Sequence, residues 1–235
     1  DAAGHSEFSR LKESLLRETP TEGLKNAIQK ILSTDADTIR SITSTVLSSD
    51  MSTTVINERE TKYFTSLIET YPDDPGLLLF LLMNFVTLEP GDFLYVSPGV
   101  THAYLRGNVV EITSNSDNVI RCGLTPKHVN AHEFLSIASL VSEQPEIQTP
   151  AESVHTYESP TPFTLTRINL NEELKATLHG PEILISTQNS FTITNKSENS
   201  FHVEQGHPVW VPYSDTSYKI TGNCLLFRCA TNPYS

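Results

Sequence analysis

The sequence contains few cysteines. Only Cys122, Cys224 and Cys229 occur among 235 residues, and no two of them form a Cys-x-x-Cys pair. An odd number without paired spacing indicates neither a disulfide framework nor a zinc site built from thiolates. Because intracellular thiols are kept reduced, this cysteine usage predicts a reducing compartment, the cytoplasm.

Basic residues are scarce relative to acidic ones. Lysine and arginine number 16 against 28 aspartates and glutamates, which gives a formal net charge of -12. The summed negative field repels polyanions, so nucleic acid and anionic membrane surfaces are not expected as partners. A small anionic ligand would need one local basic pocket.

Long hydrophobic runs are also missing. The longest, LLLFLLM at residues 77–83, is far shorter than the roughly 20 residues that span a bilayer, and we predict that it belongs to the core. The chain begins with Asp1 rather than methionine, and no basic segment followed by an apolar one marks a leader peptide. We expect the chain to be a piece of a longer protein.

Residues 1–70 have the apolar periodicity of α-helices. Thr19, Pro20 and Glu22 have the pattern of a capping box with proline at the first helical position, and Asp35 or Asp37 suits the cap of the next helix. We predict three or four short helices without chemistry of their own. The apolar residues recur at spacings of three and four: Phe8, Leu11, Leu15, Leu16, Leu24, Ile28, Ile31, Ile39, Ile42, Val46 and Leu47.

The pattern changes at Tyr71, where the run from Pro72 to Gly76 interrupts any helix. From there to Cys122, short apolar or alternating segments separated by turns are typical of β-strands: FVTL, FLYV, THAYL, VVEI and VIRC. A helical pattern returns at residues 131–141. Residues 145–162 have the composition of a long connection, and strand patterns resume from residue 163 to Arg228.

The β segments contain an internal repeat. Two similar antiparallel units in tandem explain it most simply, although two short hairpins can also align by chance. The second copy has Ser217 in place of His102 and Leu226 in place of Glu111, so we assign the chemistry to the first copy. The pairs that align without a gap are Gly91 with Gly206, Val96 with Val211, Thr101 with Thr216, Gly107 with Gly222, and Asn108 with Asn223.

His102 lies in a motif with a metal-binding precedent. Gly91, the run Ser97-Pro98-Gly99 and His102 nearly match the second signature of cupin jelly rolls, in which the histidine binds a divalent metal. A structural histidine that hydrogen-bonds a nearby turn is the alternative. A catalytic zinc ion normally takes three protein ligands, so the other ligands are expected from residues outside this chain.

We therefore predict a mainly β fold with an α-helical subdomain: tandem cupin-like antiparallel jelly-roll units, a bicupin, with a helical insertion. The predicted divisions are a helical subdomain at 1–70, the C-terminal part of the catalytic cupin-like domain with its following helix at 71–150, and a second, non-catalytic cupin-like domain at 151–235.

A basic segment follows the histidine motif. Between Val119 and His132 the chain has several basic side chains and no acidic one, although its net charge is negative. Arg121 and Lys127 suit a phosphate, but a solvated basic loop balancing nearby carboxylates is the alternative. Asp117 has three alternative roles: a structural ion pair with Arg121, proton transfer, or binding of substrate hydroxyls.

The segment from Tyr71 to Asn130 closely resembles the C-terminal catalytic part of the type I mannose-6-phosphate isomerases (phosphomannose isomerases). The segments that match motifs of the family are PGD, THAYLRG, the VVE strand and SDNVIRCGLTPK. The last is specific, because turns and strands do not produce it by default. The flanking segments resemble the family in order and size, so the resemblance covers roughly the C-terminal half of the enzyme.

The resemblance implies the interconversion of mannose 6-phosphate and fructose 6-phosphate. His102 matches the zinc ligand and Arg121 the active-site arginine. Asp117 falls among pocket positions as a candidate proton relay, and Lys127, Tyr104 and Glu111 as candidate substrate contacts. The family's other zinc ligands lie in an N-terminal segment, which we expect to be the partner of this chain. A bicupin that binds sugar phosphates without turnover is the alternative.

Overall fold

The structure, a computed structural model, describes residue 13, residues 19–48 and residues 56–231. They form two compact units. The first contains the described residues up to Thr87 together with Val96–Gly107 and Ser116–Pro145, and the second contains Leu88–Tyr95, Asn108–Asn115 and residues 146–231. The predicted helical pattern at Phe8–Leu16 lies outside the described residues apart from residue 13. The predicted three-domain division stays a prediction.

The first unit is helical. Its helices are α1 (Pro20–Leu32), α2 (Ala36–Ser48), α3 (Glu58–Thr70), α4 (Gly76–Phe80) and α5 (Ala131–Ile137). Their apolar faces share one core, whose fully buried members include Phe64 and Leu77. The run at 77–83 is only partly core, because Leu82 and Met83 at its end are exposed. No helix in the described part of the chain is long and apolar enough to cross a membrane.

The helix starts follow the predicted caps with one correction. Thr19 precedes α1 and Pro20 is its first residue, but the Thr19 hydroxyl donates to the Glu22 carboxylate over 2.8 Å instead of capping the backbone. Asp35 caps α2 by accepting hydrogen bonds from the amide and hydroxyl of Thr38. The helix predicted at 131–141 ends at Ile137, since the Ser139 amide donates to the carbonyl of Gly99.

The second unit is an antiparallel sheet around two long strands. The strands β4 (Phe163–Thr177) and β9 (Ser217–Thr231) pair along their whole 15-residue length. One half of β9 also pairs with β5 (Glu182–Gln188), and the other with β6 (Phe191–Asn195). The outer strands are β3 (Val154–Thr156), β7 (Ser200–Val203) and β8 (Pro208–Val211). The strands predicted beyond residue 162 are thus confirmed.

Of the strands predicted between residues 85 and 122, most do not form. Only β1 (Phe93–Leu94) forms, and it pairs with β2 (Ile147–Gln148) in the connection predicted at 145–162. The segments THAYL, VVEI and VIRC are not strands within the described residues. A strand needs a neighbour for its backbone hydrogen bonds, and no described segment pairs with these three.

A tandem bicupin is consequently not clearly resolved. The turns of the repeat are nevertheless alike, because Gly91, Gly107, Gly206 and Gly222 all have positive φ angles. Only glycine adopts this backbone conformation without strain.

A buried polar pair lies in the sheet unit. Glu182 is 5% exposed, and its carboxylate accepts a hydrogen bond from the Tyr218 hydroxyl over 2.5 Å. Burial and the Glu182 carboxylate raise the pKa of Tyr218 well above its usual value, although nearby Arg228 opposes this. The neutral tyrosine is therefore the stable form in the folded protein.

We expect Tyr218→Phe to destabilise the sheet unit by about 2 kcal/mol at pH 7, because the buried Glu182 carboxylate loses its donor. The raised pKa also has a pH signature. Between the unfolded-state pKa near 10 and the higher folded-state value, only the unfolded chain releases the phenolic proton, so stability falls as pH rises. Urea unfolding of wild type and variant between pH 7 and 11 should show a smaller decrease in the variant. Tyr213→Phe, at an exposed tyrosine, is the control and should change neither quantity.

Candidate functional site

Arg121 lies in a segment that packs on the helical core. Ile120 and Cys122 contact that core from partly buried positions, while Val119 is 63% exposed. Arg121 stands between these two contacts in the sequence, so the segment that carries it is anchored on both sides. Its side chain is half-buried.

The segment is held in place by a close backbone crossing. A Cβ added to Gly123 would lie 2.6 Å from Asp74 Oδ1 and 2.8 Å from the Cα of Gly76. Asp74 Oδ1 in turn accepts a hydrogen bond from the Gly76 amide over 2.7 Å. The glycine in GLTPK therefore lets the chain after Arg121 meet the loop before α4. This contact was not predicted from the sequence, although Gly123 lies in the SDNVIRCGLTPK motif and Gly76 ends the run that interrupts the helical pattern.

The basic side chains have no acidic partner in the part of the chain that the structure describes. No ion pair or hydrogen bond joins the side chain of Arg121 or Lys127 to a carboxylate there, and Asp117 is not paired with Arg121. Lys127 and Asp117 are exposed. A half-buried guanidinium without a counter-ion has its donors available for an anionic ligand. Beside it, burial and then the Asp74 charge raise the pKa of the Cys122 thiol, which therefore stays protonated.

His102 is exposed, and one of its ring nitrogens makes a hydrogen bond. Its Nδ1–H donates to the carbonyl of Val100 over 2.9 Å. Because a carbonyl can only accept, Nδ1 carries the proton and the neutral ring keeps its lone pair on Nε2. The His102 ring also contacts Tyr104 edge-on, with centroids 6.0 Å apart. The structure thus brings together two of the predicted site residues.

The predicted site residues are divided between the two units. Glu111 is exposed and belongs to the second unit, whereas His102, Tyr104, Asp117, Arg121 and Lys127 belong to the first. Among the described residues, no group of three histidine, cysteine, aspartate or glutamate side chains is placed to hold a metal ion.

A shallow pocket of ≈ 440 Å³ opens beside the Gly123 crossing. Asp73 and Asp74 are the charged residues in its lining, so it does not suit a phosphate. Asp73 is paired with Arg40. The pocket is lined by Tyr71, Pro72, Asp73, Asp74, Pro75, Gly123 and Val129.

Comparison with known sequences finds mannose-6-phosphate isomerases. The Salmonella typhimurium enzyme is 30% identical over 167 residues, which are 68% of this chain and 42% of that enzyme. The rat enzyme is 29% identical over 178 residues, 69% of this chain and 42% of its own length. The Escherichia coli enzyme is 46% identical over 68 residues, 29% of this chain and 17% of its own. No model of a known protein family matches the sequence.

Comparison with solved structures finds the same fold. The mannose 6-phosphate isomerase of Salmonella typhimurium, bound to its substrate fructose 6-phosphate and to zinc, matches with a TM-score of 0.78 at 22% identity. The match covers 98% of this chain and 59% of that one. The zinc-bound holo form of mannose 6-phosphate isomerase gives the same values. The sequence matches cover 42% of the Salmonella typhimurium and rat enzymes, and the structural match covers 59% of the Salmonella typhimurium chain, so this chain corresponds to only part of these relatives.

Proposed function

Since the chain is a homologue of the mannose-6-phosphate isomerases, we propose that it is the C-terminal portion of a zinc-dependent enzyme that interconverts mannose 6-phosphate and fructose 6-phosphate. In this proposal, an N-terminal segment completes the first cupin-like domain, and residues 151–235 form a second one. The protein acts in the cytoplasm. One observation carries the proposal: the half-buried Arg121, within SDNVIRCGLTPK, has no carboxylate partner among the described residues.

The chemistry requires two proton movements. An aldose and a ketose interconvert when a proton moves between C2 and C1 through a cis-enediol, while a hydroxyl proton moves between the two oxygens. The carbon-bound hydrogen beside a carbonyl is a weak acid, so catalysis depends on stabilising the negative charge that develops on oxygen. Arg121 stabilises that charge or positions the sugar, and Asp117 relays the hydroxyl proton. Lys127 binds the sugar or its phosphate, and Tyr104 and Glu111 line the pocket.

His102 fits the role of one zinc ligand. With Nδ1–H bound to the Val100 carbonyl, its Nε2 keeps a lone pair for a metal, which is the arrangement usual for metal-binding histidines, whose second nitrogen donates to a backbone carbonyl. When bound, zinc would supply Lewis acidity toward the substrate oxygens. The remaining ligands would come from the N-terminal segment.

The activity of this chain is testable by complementation. The chain is assayed with zinc for isomerase activity, alone and mixed with the part of the Salmonella typhimurium enzyme that it does not match. We expect activity only in the mixture. Absence of activity in both, with retained binding of fructose 6-phosphate, would support the second candidate, a non-catalytic bicupin module that binds sugar phosphates. That candidate is favoured by the lack of a three-ligand cluster among the described residues.

We expect His102→Ala to lower the zinc affinity of the complemented protein by about 100-fold or more. The reason is that the variant removes a zinc ligand itself, and not only a residue that hydrogen-bonds a ligand. Zinc content after dialysis against a weak chelator measures the effect. His128→Ala, at an exposed histidine of the same unit, is the matched control and should keep its zinc. Equal zinc content in both variants would remove His102 from the site.

Lys127→Ala should raise the apparent KM for mannose 6-phosphate by about 10-fold or more, with little change in kcat. The reason is that a phosphate contact remote from the reacting carbons contributes equally to substrate and transition state. Steady-state kinetics of the complemented protein separate the two constants. A fall in kcat at unchanged KM would place Lys127 at the reacting end of the sugar instead.

A further inference from the structure

The loop before α4 contains two neighbouring acids with different contacts. The Asp73 carboxylate pairs with Arg40 of α2, and both side chains are half exposed. Asp74 Oδ1 instead accepts a hydrogen bond from the Gly76 amide over 2.7 Å, an Asx turn in which the side chain fixes the backbone two residues further along. The Asp74 carbonyl also accepts from the Leu77 amide over 3.1 Å. Both ends of Asp74 are therefore bound to the start of α4.

The same carboxylate lies against the chain that follows Arg121. Asp74 Oδ1 is the atom nearest to the position that a Cβ of Gly123 would take, at 2.6 Å. Its charge also acts on Cys122, since burial and then the Asp74 carboxylate raise the pKa of that thiol. A steric and an electrostatic observation thus place the Asp74 carboxylate beside residues 122 and 123, and Arg121 is the next residue along the chain.

We propose that Asp74 is a positioning residue for Arg121. Its carboxylate fixes the loop on which Gly123 rests, and Cys122, which packs on the helical core, connects this support to the Arg121 backbone. Asp74 acts through the backbone, because no ion pair or hydrogen bond joins it to the Arg121 side chain within the described residues. This role rests on the proposed function, which gives Arg121 its task. A displacement of about 1 Å in a catalytic group can cost about 100-fold in rate.

Two variants of Asp74 separate geometry from charge. Asp74→Asn keeps the acceptor oxygen and the length of the side chain but removes the charge, and kcat of the complemented protein should stay within about 3-fold of wild type. Asp74→Glu keeps the charge but adds a methylene, which displaces the carboxylate from the crossing. It should lower kcat by about 10-fold or more and change KM less, because Arg121 acts on charge that develops in the transition state.

Asp73→Ala is the matched control. It removes the neighbouring acid from the same loop and breaks the ion pair with Arg40, but Asp73 is not among the atoms nearest to Gly123. Half-exposed ion pairs contribute little to stability, so kcat should stay within about 3-fold of wild type. Far-ultraviolet circular dichroism shows whether each variant is folded. If Asp74→Glu does not fold, Asp74→Ala, which lacks the acceptor oxygen, takes its place with the same expected loss of kcat.

The Cys122 thiol reports the same positioning without any catalysis. In the chain alone, alkylation of Cys122 by iodoacetamide is followed at one pH by mass spectrometry of the peptide that contains it. Cysteine reactivity depends on access and on the thiolate fraction. A displaced segment exposes the thiol, so alkylation should be about 5-fold faster or more in Asp74→Glu than in wild type. In Asp73→Ala the rate should stay within about 2-fold.

The proposal is overturned if Asp74→Asn lowers kcat as much as Asp74→Glu, because the charge and not the position would then be required. It is also overturned if Asp74→Glu lowers kcat no more than Asp73→Ala. A complemented wild type without activity contradicts the proposed function itself. The alkylation rate of Cys122 then decides alone: a faster rate in Asp74→Glu supports the positioning of this segment by Asp74, and an unchanged rate overturns it.

Discussion

Replacement of Arg121 by alanine should reduce the turnover of the complemented enzyme by about 100- to 1,000-fold, the usual loss when one charge-stabilising group is removed from an active site. Stability should change little, by less than about 1 kcal/mol, because the Arg121 side chain has no hydrogen bond or ion pair within the described residues. Steady-state kinetics and urea unfolding of the same preparation measure both effects.

Two companion variants make the Arg121 result specific. Arg121→Lys keeps the charge but loses the planar fork, so a large residual defect would indicate that geometry matters as well as charge. Arg106→Ala removes an exposed arginine from the same unit and should change turnover by less than about 3-fold. If Arg121→Ala costs only a few-fold, the residue is structural and the proposed role is wrong.

Gly123→Ala should destabilise the helical unit by about 3 kcal/mol, through a close contact and through backbone strain. The new Cβ would meet the backbone of Gly76 and the Asp74 carboxylate at 3.0 Å or less, and the φ of +148° is unfavourable for alanine. Urea unfolding followed by helical circular dichroism measures the loss. The same variant should also weaken activity, since the displaced chain carries Arg121 two residues away.

Gly107→Ala is the matched control for the crossing. Gly107 also has a positive φ, +123°, but an added Cβ would meet nothing within 4 Å. Its cost should therefore be the strain alone, about 1 kcal/mol. The difference between the two variants gives the contribution of the Gly76–Gly123 contact, and equal losses would show that the contact is unimportant.

Local features of the helices and of the later strands could be predicted from the sequence. Thr19, Pro20 and Asp35 mark helix starts through interactions within one turn, and the strand patterns beyond residue 162 pair with one another inside the described chain. Such signals are readable because each depends on neighbours that the sequence places within a few residues or in the same unit.

The strands predicted around His102 and Arg121 are not found among the described residues. THAYL, VVEI and VIRC have the residue pattern of strands, but a pattern gives only the tendency, and a strand exists only when a neighbour completes its hydrogen bonds. In the described part of the chain that neighbour is missing for these segments. The ion pair of Asp117 with Arg121, one of the three alternatives for Asp117, also depended on a spatial contact that spacing along the chain does not fix.

The sequence by itself determined the identity of the chemical groups: a histidine after a glycine turn, an arginine and a lysine in SDNVIRCGLTPK, and the relation to the isomerases that these motifs carry. The tertiary structure alone decided that the Nδ1–H of His102 is bound by the Val100 carbonyl and that Gly123 crosses Gly76. It also showed that Arg121 lies between two residues, Ile120 and Cys122, that pack on the helical core. These are contacts between atoms distant in the chain or set by backbone angles, and residue order does not specify them.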